Sequence, residues 1–127
     1  MRNLTRALLS AIALALALTA VAVAAKPQTG TYAGDAISLH VKHGKIVEVT
    51  GKAGGSCSSV SLKLKKHIAV KHGKFHFSGK VKNAGGRLTL SGRFKTSKLA
   101  KGTYKFVKGS CSTGKKKFTA AIGDAPD

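Results

Sequence analysis

From Ile37 to Ile122 apolar residues return at every second position, segment after segment. A period of two is the signature of strands with one face buried and one face wet. Ile37, Leu39 and Val41 form the first apolar row, and Ile46 with Val47 and Val49 the second. Val60, Leu62 and Leu64 repeat the alternation, Ile68 and Val70 continue it, and Phe75 with Phe77 follow. Leu88, Leu90 and Phe94, then Tyr104 and Phe106, then Phe118, Ala120 and Ile122 complete the series. No stretch in this region carries a 3.6-residue apolar stripe, and Pro27 and Pro126 lie outside it. The pattern predicts an all-β fold, an antiparallel β-sandwich or small barrel of about eight strands.

The punctuation between these rows agrees. Val41-Lys42-His43-Gly44-Lys45 recurs as Val70-Lys71-His72-Gly73-Lys74, each time followed by an apolar residue. A histidine-glycine pair suits a tight turn whose central residues need positive φ, so one hairpin chemistry is expected twice. A second echo is Gly-Ser-Cys-Ser at 55–58 and again at 109–112. Both copies sit in small, polar, glycine-containing segments that read as loops or strand ends. Cys57 and Cys111 are the only cysteines, and no C-x-x-C pair or nearby histidine suggests a metal. They are expected to form one disulfide, closing a loop that contributes about 4 kcal/mol in the chain-entropy account.

That pairing needs an oxidising compartment, and the N-terminus supplies an address. Arg2 and Arg6 precede an apolar run from Leu8 to Val23, closed by Ala22, Val23, Ala24 and Ala25. This order of positive, apolar and small residues predicts a cleaved export signal over residues 1–25. The run is shorter than the ~20 residues of a membrane span, so no transmembrane segment is expected after cleavage. Residues 26–127 are then one β domain with short disordered ends, secreted and either extracellular or associated with the cell wall.

Without Arg2 and Arg6, the 23 basic residues fall to 21 against four acids, a mature charge of +17. Nineteen of these are lysines, hydrated point charges suited to unspecific attraction. Outside a cell the matching polyanions are wall teichoic acids, acidic polysaccharides, anionic lipid head groups and released nucleic acid. The residues expected to carry such binding are Lys63, Lys65, Lys66, Lys71, Lys74, Lys80, Lys82, Lys115, Lys116 and Lys117. A lysine-rich outer surface also keeps a domain soluble and discourages strand edges from pairing between molecules, which is the alternative with no partner.

Catalytic readings find little to build on. The acids of the folded region are Asp35 and Glu48, and no G-x-S-x-G elbow appears. Glu48 lies between two valines beside lysines, where an ion pair is its expected role. Among the histidines, His43 and His72 belong to turns, His40 and His76 to the polar phase of their strands, and His67 follows two lysines. A metal site would form only if the two turns met in space, so neither metal nor cofactor is expected. Stacking on nucleic acid or sugars needs exposed aromatics, whereas here tryptophan is absent and the rings fall on the apolar phase. Tyr32, between Gly30 and Gly34, is the one candidate exception. Sequence-specific nucleic-acid binding is not expected.

Gly30-Thr31-Tyr32-Ala33-Gly34, the Gly-Lys-Ile and Gly-Lys-Phe turn exits, Leu90-Ser91-Gly92-Arg93-Phe94, and Cys111-Ser112-Thr113-Gly114 with Phe118 and Ala120 form a recognisable set. On these residues the chain resembles uncharacterised small secreted β-proteins common in actinobacteria, with a G-x-Y-x-G start and a C-x-T-G-x-x-x-F-x-A end. The resemblance implies a sandwich with a bridge and carries no catalytic residue. The function expected is that of a non-enzymatic secreted domain binding anionic extracellular polymers or cell wall. A cationic antimicrobial or toxin-like protein and a cryptic hydrolase are the alternatives.

Overall fold

A computed structural model describes residues 25–123. The export signal expected over 1–25 therefore lies outside the described residues except for Ala25, as do Asp124 to Asp127. Sheet 1 holds β1 (Gly30–Tyr32), β2 (Ile37–Lys42), β3 (Lys45–Gly54), β4 (Cys57–Leu64) and β5 (Ile68–Ala69). Sheet 2 holds β6 (Lys74–Val81), β7 (Gly86–Thr96), β8 (Leu99–Lys108), β9 (Cys111–Ser112) and β10 (Lys116–Ala121). All pairings are antiparallel, and the two sheets pack their apolar faces together as a sandwich.

The ten strands occupy eight rows, because two rows are broken. Ile46 pairs Val41 on one side and Ile68 on the other, so β5 continues the row of β4 along β3. Val107 likewise pairs Arg87 and Ser112, so β9 and β10 share one edge of β8. Each sheet is thus a four-row meander whose last row is interrupted, and each Gly-Ser-Cys-Ser segment forms its third turn. The break before β10 is held by Thr113. Its hydroxyl accepts the Phe106 N–H at 2.9 Å and donates to the Gly114 carbonyl at 2.6 Å, replacing ladder bonds a regular strand would make.

The repeated histidine-glycine turns have the predicted geometry: φ is 52° at both histidines and 74° and 75° at Gly44 and Gly73. Positive φ at both central residues defines the two-residue turn that matches strand twist. Identical chemistry does two jobs. The first copy closes the β2–β3 hairpin, while the second, closed by a Lys71–Lys74 bridge, carries the chain from sheet 1 to sheet 2.

Inward positions follow the alternation closely. Ile37, Leu39, Val41, Leu88, Leu90 and Phe106 are fully buried, each contributing about 1.5–3 kcal/mol of transfer free energy. Val47 departs because the ladder slips between His40 and Val41, making it the extra residue of a bulge that is only half-buried. Phe77 is also half-buried. A cross-strand row explains part of sheet 2: Phe75 faces Gly92, Gly92 faces Gly102, and Gly102 faces Phe118. A Cβ on Gly92 would lie 2.6 Å from the Phe75 ring, and one on Gly102 would lie 2.9 Å from the Phe118 ring and 2.1 Å from the Ser91 carbonyl. Two rings from flanking strands cover the bare glycine backbone, a device that keeps glycine tolerable within a sheet.

Tyr32 corrects the one exposed-aromatic candidate. It lies on a short first strand, is completely buried, and meets Phe94 edge-on at 5.0 Å. Its hydroxyl accepts the Gln28 N–H at 2.8 Å and donates to the Ser97 carbonyl, tying the segment before β1 to sheet 2. Burial pushes this phenol and that of Tyr104 above the ordinary tyrosine pKa, with the Gln28 bond opposing the shift at Tyr32. Both remain neutral donors, Tyr104 to the Ala53 carbonyl at 3.2 Å.

The sandwich is closed on one side and open on the other. Ala33 and Ala121 exchange both backbone hydrogen bonds at 2.9 Å, joining β1 to β10. Opposite, β4 and β6 do not pair, and Asn83 bridges them by accepting the Lys63 N–H and donating to the Ser61 carbonyl. Cys57 and Cys111 form the expected disulfide, linking the third turns of the two sheets. Ser56 reinforces it through bonds to both backbone groups of Ser112.

Candidate functional site

The ten lysines singled out from the sequence divide into three places. Lys63, Lys65, Lys66, Lys80 and Lys82 line one cleft of about 590 Å³ along the open seam, with Leu64 and Asn83. Lys63 and Lys80 are the last outward residues of β4 and β6, and Lys65, Lys66 and Lys82 follow directly where those strands end at Leu64 and Val81. Lys71 and Lys74 edge a shallow depression shared with His76 and Ser91. Lys115, Lys116 and Lys117 stay exposed around the start of β10, but consecutive residues of a strand alternate faces, so the run does not act as a block.

Cross-strand register shows a larger grouping that is not visible as a run in the sequence. On the outer face of sheet 2, Lys74 of β6, Arg93 of β7 and Lys101 of β8 stand directly opposite one another. Lys80 stands opposite Arg87 at the other end of the same strands, and Lys105 lies between the two levels beside Thr89. Lys117 of β10 completes the face beside Thr103. The other outward positions include the hydroxyls of Ser78, Thr89, Ser91, Thr103 and Thr119, the apolar Val107 opposite Arg87, and His76, bonded to the Ser91 hydroxyl at 2.7 Å. No carboxylate occupies an outward position of these four rows. The omitted residues, Arg87, Arg93, Lys101 and Lys105, were detectable in the alternation of β7 and β8 but do not form a dense run. Only the pairing of distant segments makes them neighbours.

Such a row is electrostatically unfavourable. Directly opposed residues on neighbouring strands have Cβ atoms about 4.5–5.5 Å apart, and like charges there are destabilising by up to about 1 kcal/mol per pair. An anion laid over the row would reverse that sign.

Other candidate chemistry disperses. Asp35 borders a cleft of about 240 Å³ with Lys117 and Phe118, and Glu48 does not reach it. Glu48 instead faces His40 across the β2–β3 pair, and His40 meets the Thr31 hydroxyl at 3.1 Å. The two histidine-glycine turns do approach each other, since Gly44, His72 and Gly73 line one cleft with Ala25 to Pro27. Among the described residues, however, no group of three histidine, cysteine or carboxylate side chains could hold a metal ion. Among them, too, no helix is long and apolar enough to cross a membrane.

No protein-family model, curated protein or solved structure matches the chain.

Proposed function

We propose that the mature domain is a non-enzymatic extracellular protein that associates with anionic polymers of the cell wall or its surroundings through the outer face of sheet 2. The observation that carries this reading is the row Lys74, Arg93 and Lys101, extended by Lys80, Arg87, Lys105 and Lys117 on a face without a carboxylate. Solubility alone does not require cations in register. The disulfide supports an oxidising extracellular setting. Attachment by charge rather than by insertion is supported by the scarcity of exposed apolar surface: among the described residues, Val107 is the one exposed large hydrophobic side chain.

Retention on immobilised teichoic acid tests the reading. Binding is expected at about 50 mM salt and should fall by orders of magnitude by about 200 mM, as neutralisation of several phosphates requires. Absence of binding at low salt would discard the proposal.

A further inference from the structure

The two arginines of the mature chain, Arg87 and Arg93, both stand on the outer face of β7. Arginine is otherwise avoided here in favour of lysine, so its placement is a second signal beyond net charge. The pair is six positions apart, which keeps both on one face and sets them about 20 Å apart at the rise of a strand.

Each has a lysine opposite it on β6. Arg93 is flanked in register by Lys74 and Lys101, and Arg87 by Lys80 on one side and Val107 on the other. Between these ends the outward side chains of β7 are Thr89, flanked by Ser78 and Lys105, and Ser91, flanked by His76 and Thr103. The face therefore reads, along β7, as a cation cluster with a planar fork, a stretch of hydroxyls edged by Lys105 and His76, and a second cation pair with a fork.

We infer, resting on the reading above, that this face is a binding track for a linear polyol or sugar phosphodiester, with one phosphate at Arg87, another at Arg93, and the hydroxylated, phosphate-linked repeats between them on the Ser and Thr stretch beside Lys105. A phosphate suits these ends better than a carboxylate does. Its oxygens point in tetrahedral directions, so an arginine fork and ammonium groups on both sides can each approach a different oxygen, whereas a carboxylate offers its acceptor sites in one plane and on two oxygens only. Lysine would serve equally well if only charge mattered. The hydroxyl stretch adds neutral hydrogen bonds that a polyol can return and that a chain of bare charges cannot.

The test compares the wild type with Arg87→Lys, Arg93→Lys and the double substitution, all charge-conserving and on exposed positions, with melting curves to verify folding. Ligands are a polyglycerol phosphate and a polyuronate of matched charge density and length at one ionic strength. The wild type is expected to prefer the phosphodiester. Each arginine replaced should weaken phosphodiester binding by about tenfold, the usual effect of losing one charge-assisted bond of a bidentate pair, while polyuronate binding changes little. Phosphodiester oligomers shorter than about 20 Å should lose the advantage of the second fork. Equal affinity of the double variant and wild type would overturn the track while leaving a charge-only surface standing. A wild-type preference for polyuronate would overturn the phosphate assignment. Failure of the wild type to bind either polymer at low salt would remove the underlying reading as well.

Discussion

Sheet 1 and sheet 2 share a four-row meander, a broken last row and a Gly-Ser-Cys-Ser third turn, yet they present different outer faces. On sheet 1, Thr31 faces His40, His40 faces Glu48, Thr50 stands between Ser38 and Lys63, and Lys52 faces Ser61, while Lys42 faces Lys45 at the β2–β3 turn. At the corresponding positions of sheet 2, cations are stacked in register across three strands. Inward positions in both sheets obey the same packing demand, so the fold does not account for the contrast. A surface needed only for solubility would be met by either face. The difference is one of arrangement: sheet 1 sets Lys52 and Lys63 opposite hydroxyls and holds a carboxylate, whereas sheet 2 stacks three cations across neighbouring strands, and that stacking is a property of strand pairing rather than of composition.

The bond that joins the sheets is the largest lever on this comparison. Replacing Cys57 and Cys111 by serine, or reducing the bridge, should lower stability by about 4 kcal/mol in denaturant titrations, the loop-closure value for a separation of 54 residues. An unchanged midpoint would mean that the sheets dock independently of it. Next comes Gly102→Ala, whose new Cβ would fall 2.1 Å from the Ser91 carbonyl within the glycine row of sheet 2. A loss of about 2 kcal/mol is expected from this overpacking, and a neutral result would show that sheet 2 yields more easily than its register implies.

Charge itself should have the smallest effect on stability, and its sign separates the faces. Lys101→Thr removes one member of the opposed row and should raise stability by about 0.5 kcal/mol at low salt, an increment that added salt erases. Lys52→Thr on sheet 1, where the cross-strand neighbour is Ser61, should give no such gain. Equal gains would indicate that only total charge matters.

Much of this architecture is legible in the alternation alone. Leu39, Leu62, Leu88, Leu90 and Phe106 declare their faces because period two leaves no other arrangement, and both histidine-glycine turns declare their φ angles. Val47 misleads because a bulge shifts phase without any mark in composition. Tyr32 misleads because glycines around an aromatic ring suggest exposure, whereas they let a three-residue strand fit against its neighbour and its hydroxyl finds backbone partners. The site is less legible than the core for a physical reason. Lys63 to Lys66 and Lys115 to Lys117 stand out as runs, but neighbours in sequence diverge on a strand. Lys74, Arg93 and Lys101 are scattered in sequence and adjacent in space, so only register reveals them.

The central claim, that one face rather than the whole surface carries the affinity, is tested by two variants of equal charge. One carries Lys74→Gln, Lys101→Gln and Lys105→Gln on sheet 2; the other carries Lys42→Gln, Lys45→Gln and Lys52→Gln on sheet 1. With affinity for teichoic acid measured at the same low salt, the sheet 2 variant should weaken by more than about tenfold and the sheet 1 variant by less than about threefold. Equal losses in the two would contradict a directed surface and leave the lysines as solvation.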